Sequence, residues 1–266
     1  TQWGGQDRPI VSTHALTAHA RALATVTDDP AAAAEADFVG IAVPCQETEA
    51  VAQQLAPHLG PGVPVLSWQN GVDNVRWLRG VLGSERPVLG SVVIFNAVTL
   101  RPGVVAYAMP APVVYAASDM ASLPAGLERD HARVDQRVHF ARDLVAVQWA
   151  KLLTNLMNGP LTLTPLGFKA ALEDPDVRAA GRLVVQEGLR IVRAAQIEPE
   201  VIPGVDPRKI LMLLRIPRVF NGLVARLLPA LSEEARPSTA QMLARTGRTE
   251  VAHLNGRIHR LAEEHG

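Results

Sequence analysis

Phe38-Val39-Gly40-Ile41-Ala42-Val43-Pro44 is a compact apolar run closed by a proline. It reads as a buried strand of a parallel sheet, because such strands are covered on both faces and lose the alternation of half-exposed ones. Outward from this run the pattern alternates. Residues 31–36 upstream read as a short helix. Downstream, residues 48–59 place Ala50, Val51, Leu55 and Leu59 on one helical face, and Gly60-Pro61-Gly62 then stops the helix. Residues 63–68 form the next apolar strand and residues 75–82 a helical stretch. Residues 88–95, 104–107 and 113–115 are further apolar strands. Strand, helix, strand, helix, strand is the order that builds a doubly wound α/β sheet.

Beyond about Ala141 the strand pattern gives way to helical spacing, as at Val184, Leu189, Ile191 and Val192, and again at Leu254, Ile258 and Leu261. The expected fold class is therefore α/β: a doubly wound sheet followed by an all-α C-terminal domain. The boundary falls near residues 142–148, giving units 1–145 and 146–266. Residues 199–207 are the most loop-like part of the helical half. Before Ala31 no period is sustained, and weak strands and loop are expected there.

Size and composition narrow the function. The chain has 266 residues, and single cores rarely grow much beyond about 250 residues, so two domains are expected. Hydrophobic residues make up 48% and charged residues 20%, a composition that supports packed cores. Lys+Arg and Asp+Glu cancel at 26 each, which removes the positive footprint of a general nucleic-acid binder. The most apolar stretch, residues 87–118, is broken by Arg101 and several prolines and never offers the roughly 20 uninterrupted residues of a membrane helix. The polar start, Thr1-Gln2-Trp3-Gly4-Gly5, lacks the charged-then-apolar order of a secretory signal. Cys45 is the sole cysteine, so no internal disulfide forms and a reducing, cytoplasmic setting is expected. Cys45 has no base beside it in sequence and reads as a packing residue at a strand end. The 8 histidines show no metal-ligand spacing, so no metal is expected.

The first residues that suggest chemistry lie in Trp149-Ala150-Lys151-Leu152-Leu153-Thr154-Asn155-Leu156-Met157-Asn158. At about 100° per residue, Lys151, Asn155 and Asn158 fall within roughly 60° of one another on one helix. A buried amine and two amides cost several kcal/mol unless something satisfies them, and a polar ligand would do so. The same stripe can equally be a solvated face, with Asn158-Gly159-Pro160 ending the helix. Ser67-Trp68-Gln69-Asn70-Gly71 follows an apolar strand, where an open α/β sheet places its ligand crevice; Asn-Gly can also be a simple turn. Pro237-Ser238-Thr239-Ala240-Gln241 reads as a helix start with Ser238 and Gln241 at capping-box spacing. Free N–H groups at such a start also attract a carboxylate. Arg248-Thr249-Glu250 precedes an amphipathic helix from Val251 through Asn255-Gly256, and Glu250 alone reads as a surface acid.

Taken together, the Gln69-Asn70-Gly71 turn, the strand over residues 90–97, Pro102-Gly103-Val104-Val105, the Lys151 helix, and the run from Ser238 through Arg248-Thr249-Glu250 to Asn255-Gly256 form an ordered set. In order and spacing this set resembles the ketopantoate reductase (2-dehydropantoate 2-reductase) family over residues 31–266. The resemblance implies a Rossmann-type domain that binds NADPH and a helical domain that closes over the substrate. It implies reduction of ketopantoate, or a related 2-keto acid, to the 2-hydroxy acid, a step of pantothenate biosynthesis, with NADP as cofactor. By the family's pattern Lys151 is the general acid, Asn155 holds substrate and Ser238 binds it from the helical domain. Asn158 is a further substrate contact, and Asn70, Ala97 and Glu250 contact the cofactor. No nucleic acid or membrane partner is implied; a homodimer is compatible with the resemblance, and the residues themselves read out no oligomeric state.

The residue types suit these roles. Hydride delivered to a keto carbon leaves an alkoxide that needs a proton and a positive charge, and lysine supplies both. Amides orient carbonyls and hydroxyls without neutralising the lysine, and a carboxylate accepts well from ribose hydroxyls.

The chain also departs from the family. The G-x-G-x-x-G/A loop that cradles a pyrophosphate has no counterpart, since Trp3-Gly4-Gly5 follows no strand and opens no helix. The sheet is accordingly expected without its first strand and Gly-rich loop, either because these are the ordered residues of a longer protein or because the cradle has been lost. A family lysine falls at Pro44, removing one charged contact. The second family asparagine falls at Gly159, with Asn158 one residue early. Two alternatives follow: a related two-domain dehydrogenase with another keto acid substrate, and a cofactor-free pseudoenzyme or binding protein on the same fold.

Overall fold

The computed structural model describes residues 11–12, 27–101, 104–109, 111–133, 136–166, 168–216 and 237–265. Its centre is a five-stranded sheet in the order β2-β3-β4-β7-β8, where β2 is Val39–Ile41, β3 Val65–Ser67, β4 Val88–Val93, β7 Val113–Ala116 and β8 Val138–Ala141. The strands β2, β3 and β4 are parallel, in the register Val39↔Val65↔Val88. Between them run α1 (Thr48–Leu55) and α2 (Asn74–Leu82). Adjacent strand residues face opposite ways. Val65 and Val88 accordingly pack with Ala52 and Leu78 beneath α1 and α2. Leu66 and Leu89 pack on the other face with Val113, Tyr115 and Leu127, the last of these opening α3 (Leu127–Arg133).

Several sequence expectations change at this point. The first run contracts to Val39–Ile41, with Gly40 exposed and β2 at one end of the described sheet. The helix expected over residues 31–36 is a 3-10 turn, Pro30–Glu35, and the helix expected to reach Leu59 ends at Leu55. β7 runs antiparallel to β4. The run 104–107 is not part of the main sheet: β6 (Val104–Met109) pairs antiparallel with β5 (Asn96–Arg101) and parallel with β1 (Val11–Ser12) in a separate three-stranded sheet. β8 was not expected at all. Apolar content marks a strand but carries no information on its direction or partner, which is why the pairings of β6 and β7 were not expected. The loop region Trp3-Gly4-Gly5 lies outside the described residues.

Among the described residues all later elements are helical: α4 (Leu144–Asn155), α5 (Asn158–Thr162), α6 (Phe168–Glu173), α7 (Pro175–Ala194), α8 (Pro207–Arg215), α9 (Ser238–Thr246) and α10 (Asn255–His265). Asp-Pro pairs start two of them. Asp174 accepts from Asp176 and Val177 N–H at the head of α7, and Asp206 does so from Arg208 and Lys209 at the head of α8. Each aspartate caps orphan donors while the following proline, which has no N–H, occupies the first turn. Arg178 is buried and donates to the carbonyls of Leu213, Leu214 and Ile216, closing the opposite end of α8.

The element that joins the two halves is α4. Leu144, Val147 and Ala150 enter a core with Val92 and Val114 of the sheet and Ile94 just past β4. Trp149, Leu152 and Leu153 enter the helical core with Val185, Leu254 and Ile258. Leu152 and Leu153 are fully buried, worth about 1.5–3 kcal/mol each relative to exposure. Between these two faces a narrow stripe of α4 is left for polar side chains.

Candidate active site

The stripe opens on a cleft at the carboxyl ends of β3 and β4. Its floor is Ser91, Val92 and Val93 of β4; one wall is Gln69, Asn70 and Gly71, and the other is Gln148 and Lys151 of α4. The cleft encloses about 210 Å³ of empty space, its mouth included.

The wall after β3 is tied down by hydrogen bonds. Gln69 Nε2 donates to Val43 O at 2.9 Å and to Thr48 Oγ1 at 2.7 Å, and its Oε1 accepts from Ser67 at 3.1 Å. Thr48 Oγ1 donates onward to Asn74 Oδ1 at 3.3 Å. Asn74 Nδ2 donates to Asn70 O at 2.5 Å, and the Cys45 thiol donates to the same carbonyl at 3.0 Å. The chain turns at Gly71 with φ +94°, a conformation that L side chains rarely adopt. Buried networks are rigid when fully satisfied, and this one fixes the backbone from which the Asn70 side chain projects.

The opposite wall is different. Among the described residues Lys151 has no ion pair or hydrogen-bonding side chain, and burial alone pushes its ammonium down to about 8. Gln148, one turn earlier, likewise has no side-chain hydrogen bond to a described residue. Asn155 Nδ2 reaches across the cleft to Asn70 Oδ1 at 3.3 Å. The three-residue stripe expected on one helix is corrected by the break after Asn155: α4 ends there, and Asn158 opens α5. The break is held from outside. Asn255 Nδ2 donates to Leu156 O at 3.2 Å, and α7 presses against this turn through Gly188, where a Cβ would meet Leu156 Cδ1 at 2.5 Å.

Ser238 is exposed as the first residue of α9, whose N-cap is Pro237 with no side-chain capping bond. The expected capping box is therefore absent, since the helix begins one residue too early for Ser238 to serve as its cap. α9 packs against α5, the helix that Asn158 opens. Ala97 lies in β5, opposite Tyr107, just past the carboxyl end of β4. Glu250 is buried, not a surface acid: its Oε1 accepts from Cys45 N–H at 2.9 Å, in the turn after β2. The helix expected from Val251 begins at Asn255, after a turn. Cys45 is buried, and desolvation, then the Glu250 charge, push its thiol far above the usual range, so it holds the loop as a thiol. Arg257 of α10 lies over the Trp149 ring at 5.4 Å, with Nε 3.2 Å from Asp73 Oδ2, and links α10, α4 and the start of α2.

Comparison with known proteins bears directly on this arrangement. The family model described as ketopantoate reductase PanE/ApbA matches residues 9–119, and the model for its C-terminal part matches residues 143–266. The chain belongs to the ketopantoate reductase family. A 2-dehydropantoate 2-reductase of Archaeoglobus fulgidus is 28% identical over 238 residues, covering 87% of this chain and 71% of its own. A PanE/ApbA family ketopantoate reductase from Ralstonia eutropha JMP134 is similar in structure, with a TM-score of 0.69 and 28% identity over 90% of this chain and 72% of that one. A D-mandelate dehydrogenase, solved in a ternary structure with NADH and anilino(oxo)acetate, shares the fold at a TM-score of 0.66 and 16% identity, covering 86% and 70% of the two chains.

Members of the ketopantoate reductase family are nicotinamide-dependent oxidoreductases acting on small keto acids. The residues here fit the nicotinamide end of such a cofactor. The crevice lies at the carboxyl ends of parallel strands, as in other open α/β sheets. Asn70 keeps its Nδ2 uncommitted while Oδ1 is engaged. Gln46 Oε1, in the turn after β2, is buried without a hydrogen-bond partner among the described residues, an acceptor that a ligand hydroxyl or amide could meet. No described helix is long and apolar enough to cross a membrane, and among the described residues no group of His, Cys, Asp and Glu could hold a metal ion.

Proposed function

We propose that the protein reduces ketopantoate, or a related 2-keto acid, with NADPH, and that Lys151 is the proton donor. The observation that carries this reading is Lys151 itself: an ammonium on the wall of a small cleft, unpaired among the described residues and depressed by burial to about 8. A structural lysine is normally solvated or paired, whereas an acid that must release its proton near neutral pH needs this depression.

The nicotinamide cofactor supplies the hydride. As the keto oxygen gains negative charge, Lys151 neutralises it and then gives up its proton, leaving a neutral amine that burial favours. Asn155, tied to Asn70, is proposed to orient the substrate, and the Asn70 amide to contact the cofactor. Ser238 and Asn158 are proposed to reach the substrate from α9 and α5, and Ala97 and Glu250 to border the cofactor. The division into a dinucleotide-binding unit, residues 1–145, and a helical unit, residues 146–266, is proposed on the same basis, with α4 as the shared element. The lone free Cys45 thiol fits work in the cytoplasm.

A second reading has its own observation. By the family resemblance Pro44, in the turn after β2, stands in place of a lysine, which supports a keto acid other than ketopantoate as the alternative substrate of the same reaction. The test is the full-length protein in an assay of NADPH oxidation on addition of ketopantoate and other branched 2-keto acids, with Lys151→Ala alongside. Turnover that collapses in the variant is expected. A verified full-length protein that neither binds NADPH nor consumes it would overturn the proposal.

A further inference from the structure

Gln148 precedes Lys151 by three residues on α4, so the two side chains leave the same face about 5–6 Å apart at Cβ. Both line the cleft. The amide of Gln148 lies over β4, where a side chain on Gly90 would bring Cβ within 3.3 Å of Nε2. The bare backbone at Gly90 is what lets this amide reach the cleft floor. Other polar side chains of α4 are engaged: Thr154 Oγ1 donates to Lys151 O at 2.7 Å and Asn155 to Asn70. Gln148 and Lys151 are the two that are not, among the described residues.

We propose that Gln148 reads the carboxylate of the substrate while Lys151 serves its ketone, so that the pair recognises a carboxylate and a carbonyl on adjacent carbons. This rests on the reductase reading above and adds the group that selects acids. The chemistry favours an amide at this position. Its two N–H donors can satisfy a carboxylate. A second ammonium one turn away would depress Lys151 further and drain its proton, and a carboxylate there would raise Lys151 and repel the substrate. A neutral donor does neither. Hydrogen bonds to charged groups contribute about 1.5–3 kcal/mol, which is roughly a 10- to 150-fold effect on kcat/KM.

The experiment uses the full-length protein, Gln148→Leu and Gln148→Glu, each tested with a branched 2-keto acid and with the methyl ester of the same acid. Thermal melts and cofactor titrations check that the variants are folded and bind NADPH. For the acid, kcat/KM is expected to fall about 10- to 150-fold in Gln148→Leu and further in Gln148→Glu. For the uncharged ester the loss in Gln148→Leu stays within about threefold, because the ester lacks the carboxylate whose contact is removed. Gln148→Leu with unchanged kcat/KM for the acid, or with equal losses for acid and ester, overturns the assignment and leaves the reductase reading standing. A parent enzyme that turns over neither compound overturns the reductase reading, and the role of Gln148 with it.

Discussion

The two walls of the cleft are built on opposite terms. On the β3 side, Ser67, Gln69, Thr48, Asn74 and Cys45 pass hydrogen bonds from one to the next until the Asn70 backbone is fixed. On the α4 side, Lys151 is desolvated and Gln148 half-buried, and neither side chain has a protein partner among the described residues. Buried polar groups cost free energy unless they are met, so the first wall stabilises the fold, while the second is tolerated only because α4 is anchored by apolar side chains on both flanks. The difference separates residues that hold the site from residues that wait for a ligand.

The contrast is sharpest at Lys151. Lys151→Met should lower turnover about 10²- to 10⁴-fold, read in the NADPH assay, yet raise the melting temperature, because an unpaired buried charge is replaced by a side chain of similar length. The pH dependence follows the same logic. A lysine whose folded value lies below its unfolded one destabilises the fold at pH below about 8, and that penalty is relieved as pH rises from about 8 towards the ordinary lysine range. The wild-type protein should therefore gain stability over that window and Lys151→Met should not, as followed by denaturant titration.

The opposite wall should answer in the opposite way. Gln69→Leu strands Val43 O, Thr48 Oγ1 and Ser67 Oγ without the partner they now share, and about 3 kcal/mol of stability should be lost. A loss below about 1 kcal/mol would show the network to be incidental. Gly188→Ala tests the packing behind α4: its Cβ would meet Leu156 Cδ1 at 2.5 Å and Leu153 Cδ2 at 2.9 Å, and about 1–3 kcal/mol of overpacking strain is expected in the same titration. Arg248→Ala is the smallest change. It removes an exposed ion pair with Glu47, outside both walls, and should cost under about 1 kcal/mol.

Much of this was legible in the residues. The apolar runs at β2, β3 and β4 announce a parallel sheet, and Lys151 with Asn155 stands out on a helix that is otherwise apolar. The hairpin β5–β6 and the reversed β7 were not legible, because nothing in Val104-Val105-Ala106 or Val113-Val114-Tyr115 states which neighbour a strand pairs with. β8 alternates Val138, His139, Phe140 and Ala141 over only four residues, too short a signal to separate from loop. The break after Asn155 precedes any glycine or proline, and it depends on Asn255 and Gly188, far along the chain. Glu250 looked like a surface acid because its partner, the Cys45 N–H, lies 205 residues away. Gln148 could have been found by the same helical arithmetic as Asn155, once the helix is started at Leu144 instead of Trp149.

The central claim is that a lysine depressed by burial is the proton donor, and the pH dependence of kcat/KM for 2-keto acid reduction by the full-length protein tests it most directly. The account predicts a plateau at low pH and a tenfold fall per pH unit above about 8, with the residual activity of Lys151→Met lacking that limb. A rate that stays level to about pH 10, or a limb that survives in Lys151→Met, would contradict it.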